Sequence, residues 1–468
     1  MAAIITTPFR VLNAENFKED IAASGTHVYL GIGKSDAWST TTADTTDTIP
    51  FVPGDHLNDI NDAWSQMISM KKITASDVSH VVPRYDYADG ESYVAWDSEN
   101  SDVYDTKFYV LTNDFKVYKC IQKGPSSASV QPSHTTAAIP AAGADGYRWK
   151  YMYTLTTGDS EKFLTKSFMP VKTLAEAPTL ATTNVDYPQQ QSQVSSRALP
   201  KAAGIERIVI ENGGTNYDAA DVFTVTIEGD GTDAEVLDAG VTVSGGAITA
   251  IALNDTGTDY TKAKVTVTHN NASGGAVGSG CIARAVIAPA GGHGTDPVSE
   301  LGAFFVSLNV QLDNASDGSD LTVGNDFRQI TIVKNPYSSG TTLASAATLK
   351  ATKALVLGSG QSTSGFVVDQ VIQAASGGSG AKAYLVEIDS TNGKLYYYQN
   401  EKTGFTPFAN SDTVQGTLPN GGSASLASSH TQAAEVVPGS GQVIFLENRD
   451  PISRSATQIE DIKCIIEF

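Results

Sequence analysis

Residues 205–217, IERIVIENGGTNY, return at 248–260 as ITAIALNDTGTDY. The offset is 43 residues (248 − 205). It pairs Ile205 with Ile248, Ile208 with Ile251, Ile210 with Leu253, Gly214 with Gly257 and Tyr217 with Tyr260. Each copy runs on into a Thr/Val strand, VFTVTI or KVTVTH. A strand–turn–strand unit of this kind cannot bury its own apolar face, so two copies are expected to stack into one small β-domain. From Gly204 to about Pro289 the chain is almost without aromatics and rich in Gly and Thr, unlike the segments around it.

A second break lies on the far side of NDFRQITIVKNP, Asn325–Pro336. Ile330 and Ile332 fall on one face of that strand and Thr331 and Val333 on the other, and Asn335-Pro336 ends it. Beyond it the chain is again Gly/Ser/Thr-rich. The expected fold is mainly β with a smaller α/β portion: a β-sandwich-like core carrying two inserted small β-domains. The expected divisions are 1–199 (α/β and β core, with the composition break at Leu199-Pro200), 200–300 (the repeat), 301–340 (core strands), 341–436 (second insert) and 437–468 (C-terminal core strands).

Within this frame the patterning predicts a helix at Ala14–Ala23 capped by Asn13, and a strand at Thr26–Ile32. Thr40–Thr48 reads as a polar loop. Asp55–Lys72 reads as one long helix with Asp55 as cap, from Leu57, Ile60, Trp64, Met67 and Ile68 at helical spacing. Trp64, Met67 and Met70 are read as core. Val78–Tyr87 reads as extended, with a bend at Pro83, and Phe108–Gln122 as a hairpin turning at Thr112-Asn113-Asp114. In Tyr147–Leu155 the aromatics Tyr147, Trp149, Tyr151 and Tyr153 alternate with other residues, which predicts a half-buried strand with one aromatic face. Tyr337–Leu355 reads as a Ser/Thr/Ala linker, part of it helical. KAYLVEID and KLYYYQN form a hairpin through Ser390–Gly393, and 441–468 gives two strands around a polar bend.

The charges exclude several functions. Lys+Arg number 31 against Asp+Glu 51, a net charge of −20, which repels phosphate backbones, so nucleic acid is not an expected partner. No apolar run approaches membrane-spanning length, and the first residues lack the apolar core of a signal peptide, so no membrane association is expected. Cys120, Cys281 and Cys464 lie far apart without metal or disulfide spacing, and a reducing compartment is expected. Gly31-Ile32-Gly33-Lys34-Ser35 imitates a phosphate loop, but Val28 stands where the first Walker glycine belongs and Asp36 where a dinucleotide fingerprint needs glycine. The seven histidines show no ligand spacing. Asp313–Asp320 hints at a calcium loop but places Ala315 at a ligand position, so it is read as a turn. Glu99/Asp102 and Glu460/Asp461 are pairs that an acidic surface supplies by chance. No catalytic residue, cofactor or metal is expected.

Five stretches occur in one order: THVYLGIGKSDAWS (26–39), VVPRYDY (81–87), DGYRWKYMYTL (145–155), FRQITIVKNP (327–336) and the tail 441–468 with FLENRDPI. Together they resemble the dimeric baseplate wedge subunits of T-even-like contractile-tailed bacteriophages. The segments 200–300 and 340–436 depart from that pattern, which has shorter connections there. The resemblance implies a non-enzymatic virion protein, made in the host cytoplasm. It would form a homodimer, bind other wedge subunits and repack when the tail contracts. Trp38, Arg84, Trp149 and Arg449, aromatic and Arg residues of the matched stretches, are the candidate interface residues. A carbohydrate- or receptor-binding tail module, with the inserts as its surface, and a tail-associated glycan hydrolase are the other readings.

Overall fold

The computed structural model describes residues 4–39, 47–172, 179–196, 204–270, 274–313, 321, 323–410, 412–455 and 458–468. Most of the polar loop at 40–48, the break at Leu199-Pro200 and all of the Asp313–Asp320 turn beyond Asp313 lie outside the described residues. The fold is mainly β, as expected, and includes one closed barrel. Its contacts divide it into two compact units. One comprises Met1–Glu15, Ser79–Val306 and Ile466–Phe468, the other Asn16–Val78 and Ser307–Ile465.

In the second unit, the Asp326–Lys334 strand lies between Val28–Gly33 and Gln442–Ser453 in a five-stranded antiparallel sheet. Met67–Ile73 and then Thr348–Lys350 continue the sheet beyond Val28–Gly33. Ile330, Thr331, Ile332 and Val333 are all buried, because layers cover both faces of the sheet. The glycines of GIGK follow from this packing. A Cβ on Gly31 would stand 2.5 Å from the Thr331 hydroxyl, and one on Gly33 2.8 Å from the Gln66 carbonyl. They let the strands close up.

The long helix expected at Asp55–Lys72 is half helix and half strand. Leu57–Ser65 is helical, with the His56 ring rather than Asp55 accepting the cap hydrogen bond from the Asp59 amide. Met67–Ile73 is a strand. Met67, Ile68, Ser69 and Met70 are buried in succession, which needs two covered faces. A sheet strand supplies these and an amphipathic helix does not. Trp64, Met67 and Met70 are core residues, as expected. The first helix is also longer than its pattern, Thr7–Ala22, so Asn13 is interior. Its apolar residues are spread around the axis, with Val11 buried and Leu12 exposed, so no stripe marks its start.

Tyr337–Leu355 contains no helix. It carries the short strands Tyr337–Ser339, Thr342–Leu343 and Thr348–Lys350 and enters the strand Lys353–Leu357. That last strand opens a six-stranded barrel, in the order Lys353–Leu357, Lys394–Tyr398, Lys382–Asp389, Gln370–Ala374, Thr413–Gly416, Ser423–Gln432, which closes back on the first. Period-two alternation fills it. Leu355, Leu385, Leu395 and Tyr397 point inward, and Ala354, Tyr384, Tyr396 and Tyr398 pack outside with Ile68.

In the first unit, Tyr109–Leu111, Lys116–Gln122 and Arg148–Thr154 form a three-stranded sheet. The hairpin turns as expected, with Phe115 at positive φ. The Arg148–Thr154 strand is buried on both faces rather than one. A register shift between Val117 and Tyr118 leaves Met152 as the extra residue. Tyr147, Trp149 and Tyr151 therefore join an aromatic cluster with Tyr87 and Tyr93, while Tyr153 turns with Met152 into the main core.

The repeat forms six strands with an internal pseudo-two-fold. Ile205–Thr215 pairs with Ser279–Ile287, Ala247–Thr258 with Thr232–Ser244, and Phe223–Gly229 with Ala263–His269 across the axis, Thr226 facing Thr266. Each copy completes the other. The Tyr217 ring of the first lies on Gly278 of the second, and Tyr260 of the second lies on Gly231 of the first. A Cβ would stand 2.3 Å from the Tyr217 ring at Gly278 and 2.4 Å from the Tyr260 ring at Gly231. Gly231→Ala and Gly278→Ala are therefore expected to cost about 2–4 kcal/mol each by expelling a buried tyrosine. Thermal unfolding of the two variants checks this, and a shift under 1 °C in both would contradict the packing.

Candidate assembly surface

The Val28–Gly33 strand delivers its loop, Lys34–Ser39, against the barrel of the same unit. Lys34 adopts positive φ, and its ammonium reaches Asp36 Oδ2 and Gln66 Oε1, each at 3.1 Å. The Tyr398 hydroxyl donates to Asp36 Oδ1 at 2.7 Å and accepts from the Asp36 amide at 3.0 Å. Lys402 donates to Asp36 Oδ2 at 2.6 Å. Burial works against the Asp36 charge, but Lys34, Lys402 and Tyr398 together hold its carboxyl below the usual carboxylate range. Burial, with Asp36 beside it, pushes the Tyr398 phenol well up. Both lysines are thereby committed to one buried carboxylate. The cluster joins sheet to barrel.

Beside it opens a cleft of about 450 Å³, walled by Trp38, Phe51, His56 and Gln66 and lined by both the carboxylates Asp59, Asp62 and Glu401 and the ammonium groups of Lys34 and Lys402. Burial, then Glu401 and Asp59, raise the Asp62 carboxyl above its ordinary value. The segment leading to the cleft is IPFVPGDHL, 49–57. Its apolar side chains face water: Ile49 is 87% exposed and Val52 92%, and Phe51 and Leu57 are more exposed than buried. Its backbone is nonetheless held, since Asn448 Nδ2 donates to the Phe51 carbonyl at 3.0 Å, and Trp38 meets the Phe51 ring edge-on at 6.1 Å. The first unit carries its own exposed apolar set, Ile4, Ile5, Phe9 and Leu12, at its N-terminal helix. Apolar groups fixed in water on an ordered backbone are what an assembly contact is built from.

Of the four residues singled out from sequence, two come together. Trp38 Nε1 donates to the Arg449 carbonyl at 2.8 Å, with the indole buried and the Arg449 side chain 39% exposed. Arg84 and Trp149 belong to the other unit. Arg84 keeps part of its side chain in water while bonding Asp86 at 2.8 Å and the Thr165 carbonyl at 2.9 Å. Trp149 is buried, stacked on Tyr147 and edge-on to Tyr93. The residues missed were Ile49, Phe51, Val52 and Leu57. Their signal was an apolar run cut by Pro50 and Pro53, which can form neither a central strand nor a helix interior and so has no ready way to be buried.

Residues 3–123 match a family model described as Bacteriophage T4, Gp8. The match covers roughly a quarter of the chain. It includes the first two of the five recognised stretches and both exposed apolar sets, and it supports a structural role in a phage tail baseplate. No curated protein matches the chain.

Proposed function

We propose that this chain is a structural component of the baseplate wedge, a homodimer that bridges neighbouring wedge proteins and repacks against them when the tail contracts. The observation that carries the reading is the family match over residues 3–123. Ile4, Ile5, Phe9 and Leu12, and separately Ile49, Phe51, Val52 and Leu57, are the apolar contacts through which it would be held in the wedge. Function on this reading is mechanical and lies in contacts with two stable arrangements.

The test is incorporation. Phe51→Asp with Val52→Asp alters two exposed side chains, so the isolated protein should keep its melting temperature. Tails assembled with it should lack the protein or lose at least ten-fold in its occupancy. Absence of the wild-type protein from purified tails would overturn the wedge reading. Normal incorporation of the double variant would overturn the surface assignment alone.

A further inference from the structure

The two halves of the repeat agree residue for residue along their outer ladders. Ala234 faces Thr256 as Cys281 faces Gly213, Val236 faces Leu253 as Ala283 faces Ile210, and Val241 faces Ile251 as Ala285 faces Ile208. Between the second and third of these pairs the halves differ. The second half has the single residue Arg284, and the first has the four residues Leu237–Gly240.

This difference falls at a cleft that both halves possess. In the second half it is lined by Thr261, Lys262, Ala263, Ala285 and Ile287, and Trp96, Ser98 and Glu99 of the neighbouring core segment form its other wall, around a space of about 470 Å³. Arg284 grips that segment through both Asp97 oxygens, at 2.9 and 2.7 Å, and the Ile287 amide donates to Ser98 Oγ at 3.3 Å. In the first half the corresponding residues Asp221, Val222, Phe223 and Val241 line a cleft of about 490 Å³. No other segment of the described chain lines it. Phe223, Val225, Ile227 and Val236 are only half-buried at its floor, and Val222 and Leu237 stand exposed at its mouth. The charge is reversed as well. Where Arg284 meets an aspartate, the first half presents the exposed Asp238 next to Leu237, and no Lys or Arg is among the described residues lining the cleft.

We propose that the first-half cleft is a docking site for an extended segment of a partner protein. That segment would carry a large apolar side chain followed by Lys or Arg, running along the cleft as Trp96–Glu99 runs along the wall of the second-half cleft. An apolar anchor in a partly desolvated cleft with one charge pair at its rim is a common form of peptide recognition.

Two synthetic hexapeptides test this on the full-length protein by fluorescence anisotropy: Ser-Trp-Lys-Ser-Lys-Val, and its acidic counterpart Ser-Trp-Asp-Ser-Glu-Val. The basic peptide should bind saturably and at least ten-fold more tightly than the acidic one. Asp238→Lys should remove that preference, and Leu237→Ser should weaken the basic peptide at least five-fold. Both substitutions sit at exposed positions in the bulge of the Thr232–Ser244 strand, so the melting temperature should hold. No saturable binding, equal binding of the two peptides, indifference to Asp238→Lys, or competition by an oligosaccharide would each overturn the proposal.

Discussion

Replacing Lys119 by Met should destabilise the first unit by about 3–5 kcal/mol, because it leaves a carboxylate buried without its cation. Lys119 is fully buried and lies 2.7 Å from Glu300, itself nearly inaccessible. The ammonium also sits 4.5 Å over the Trp96 ring, against which His293 packs edge-on at 4.9 Å. Burial opposes the Glu300 charge, but Lys119 outweighs it and draws the carboxyl down to about 2. The amides of Gly294 and Asp296 donate to the same carboxylate at 2.7 and 3.2 Å. Gln at 300 keeps an acceptor for those amides while removing the charge. The double variant Lys119→Met/Glu300→Gln should therefore recover at least half of the loss, whereas Glu300→Gln alone strands the ammonium and should cost about as much as Lys119→Met. Hydrogen exchange at the amides of the three-stranded Tyr109–Leu111, Lys116–Gln122 and Arg148–Thr154 sheet in urea reports this unit, since the four tryptophans are divided between both units. A single-variant cost under 1 kcal/mol, or simple additivity in the double, would show that the pair does not act as a unit.

The same cluster shows where sequence reading stops. Lys119 lies in KVYKCIQ and Glu300 in PVSE, 181 residues apart, and nothing local distinguishes either from a surface charge. Period-two patterning did find the hairpin at 109–122, the 382–398 hairpin and the Asp326–Lys334 strand, because each has apolar residues whose spacing is set by one sheet face or two. The 43-residue repeat was legible too, since Gly214 and Gly257 lie close against Tyr217 and Tyr260 of their own copies, a contact that each copy must make. That each ring also lies on a glycine of the other copy, Gly278 or Gly231, was not legible, because a linear offset does not say which partner a ring meets. Met67–Ile73 was misread because helical and two-face-buried spacing coincide over a few residues, and only pairing with Val28–Gly33 and Thr348–Lys350 separates them. At the candidate surface, Trp38 was visible but its role was not. It supports Phe51 and bonds the Arg449 backbone, while the groups left in water are the apolar residues between two prolines.

Buried groups of the two units should answer acid in opposite directions between pH 7 and 4. In the first, burial and the Lys119 charge push His293 down to about 4 from 6.5, and Glu300 stands at about 2 rather than 4.5. Their unfolded forms take up protons first, so the stability they confer is present above pH 6.5 and is lost as the pH falls, through His293 and then Glu300. In the second unit, burial raises the Asp369 carboxyl to about 7, with the nearby Asp326 charge adding to the effect. Here the folded state holds its proton after the unfolded chain has released it. Stability is therefore full below about pH 4 and falls as the pH rises to 7. A carboxyl held at about 7 rather than 3.8 corresponds to roughly 4 kcal/mol at most, and relaxation of a half-buried site reduces this to about 2. Asn at 369 can accept the Asp326 amide hydrogen bond that Asp369 Oδ2 receives at 2.7 Å, without a charge to lose. Asp369→Asn should thus stabilise the second unit by about 2 kcal/mol at pH 8, with the gain falling to about a quarter of that at pH 4.5. Hydrogen exchange at the amides of the barrel and the five-stranded sheet, followed across that range in both proteins, separates this unit from the other. A gain independent of pH, or a loss at pH 8, would show that the Asp369 carboxylate is stabilised where it sits.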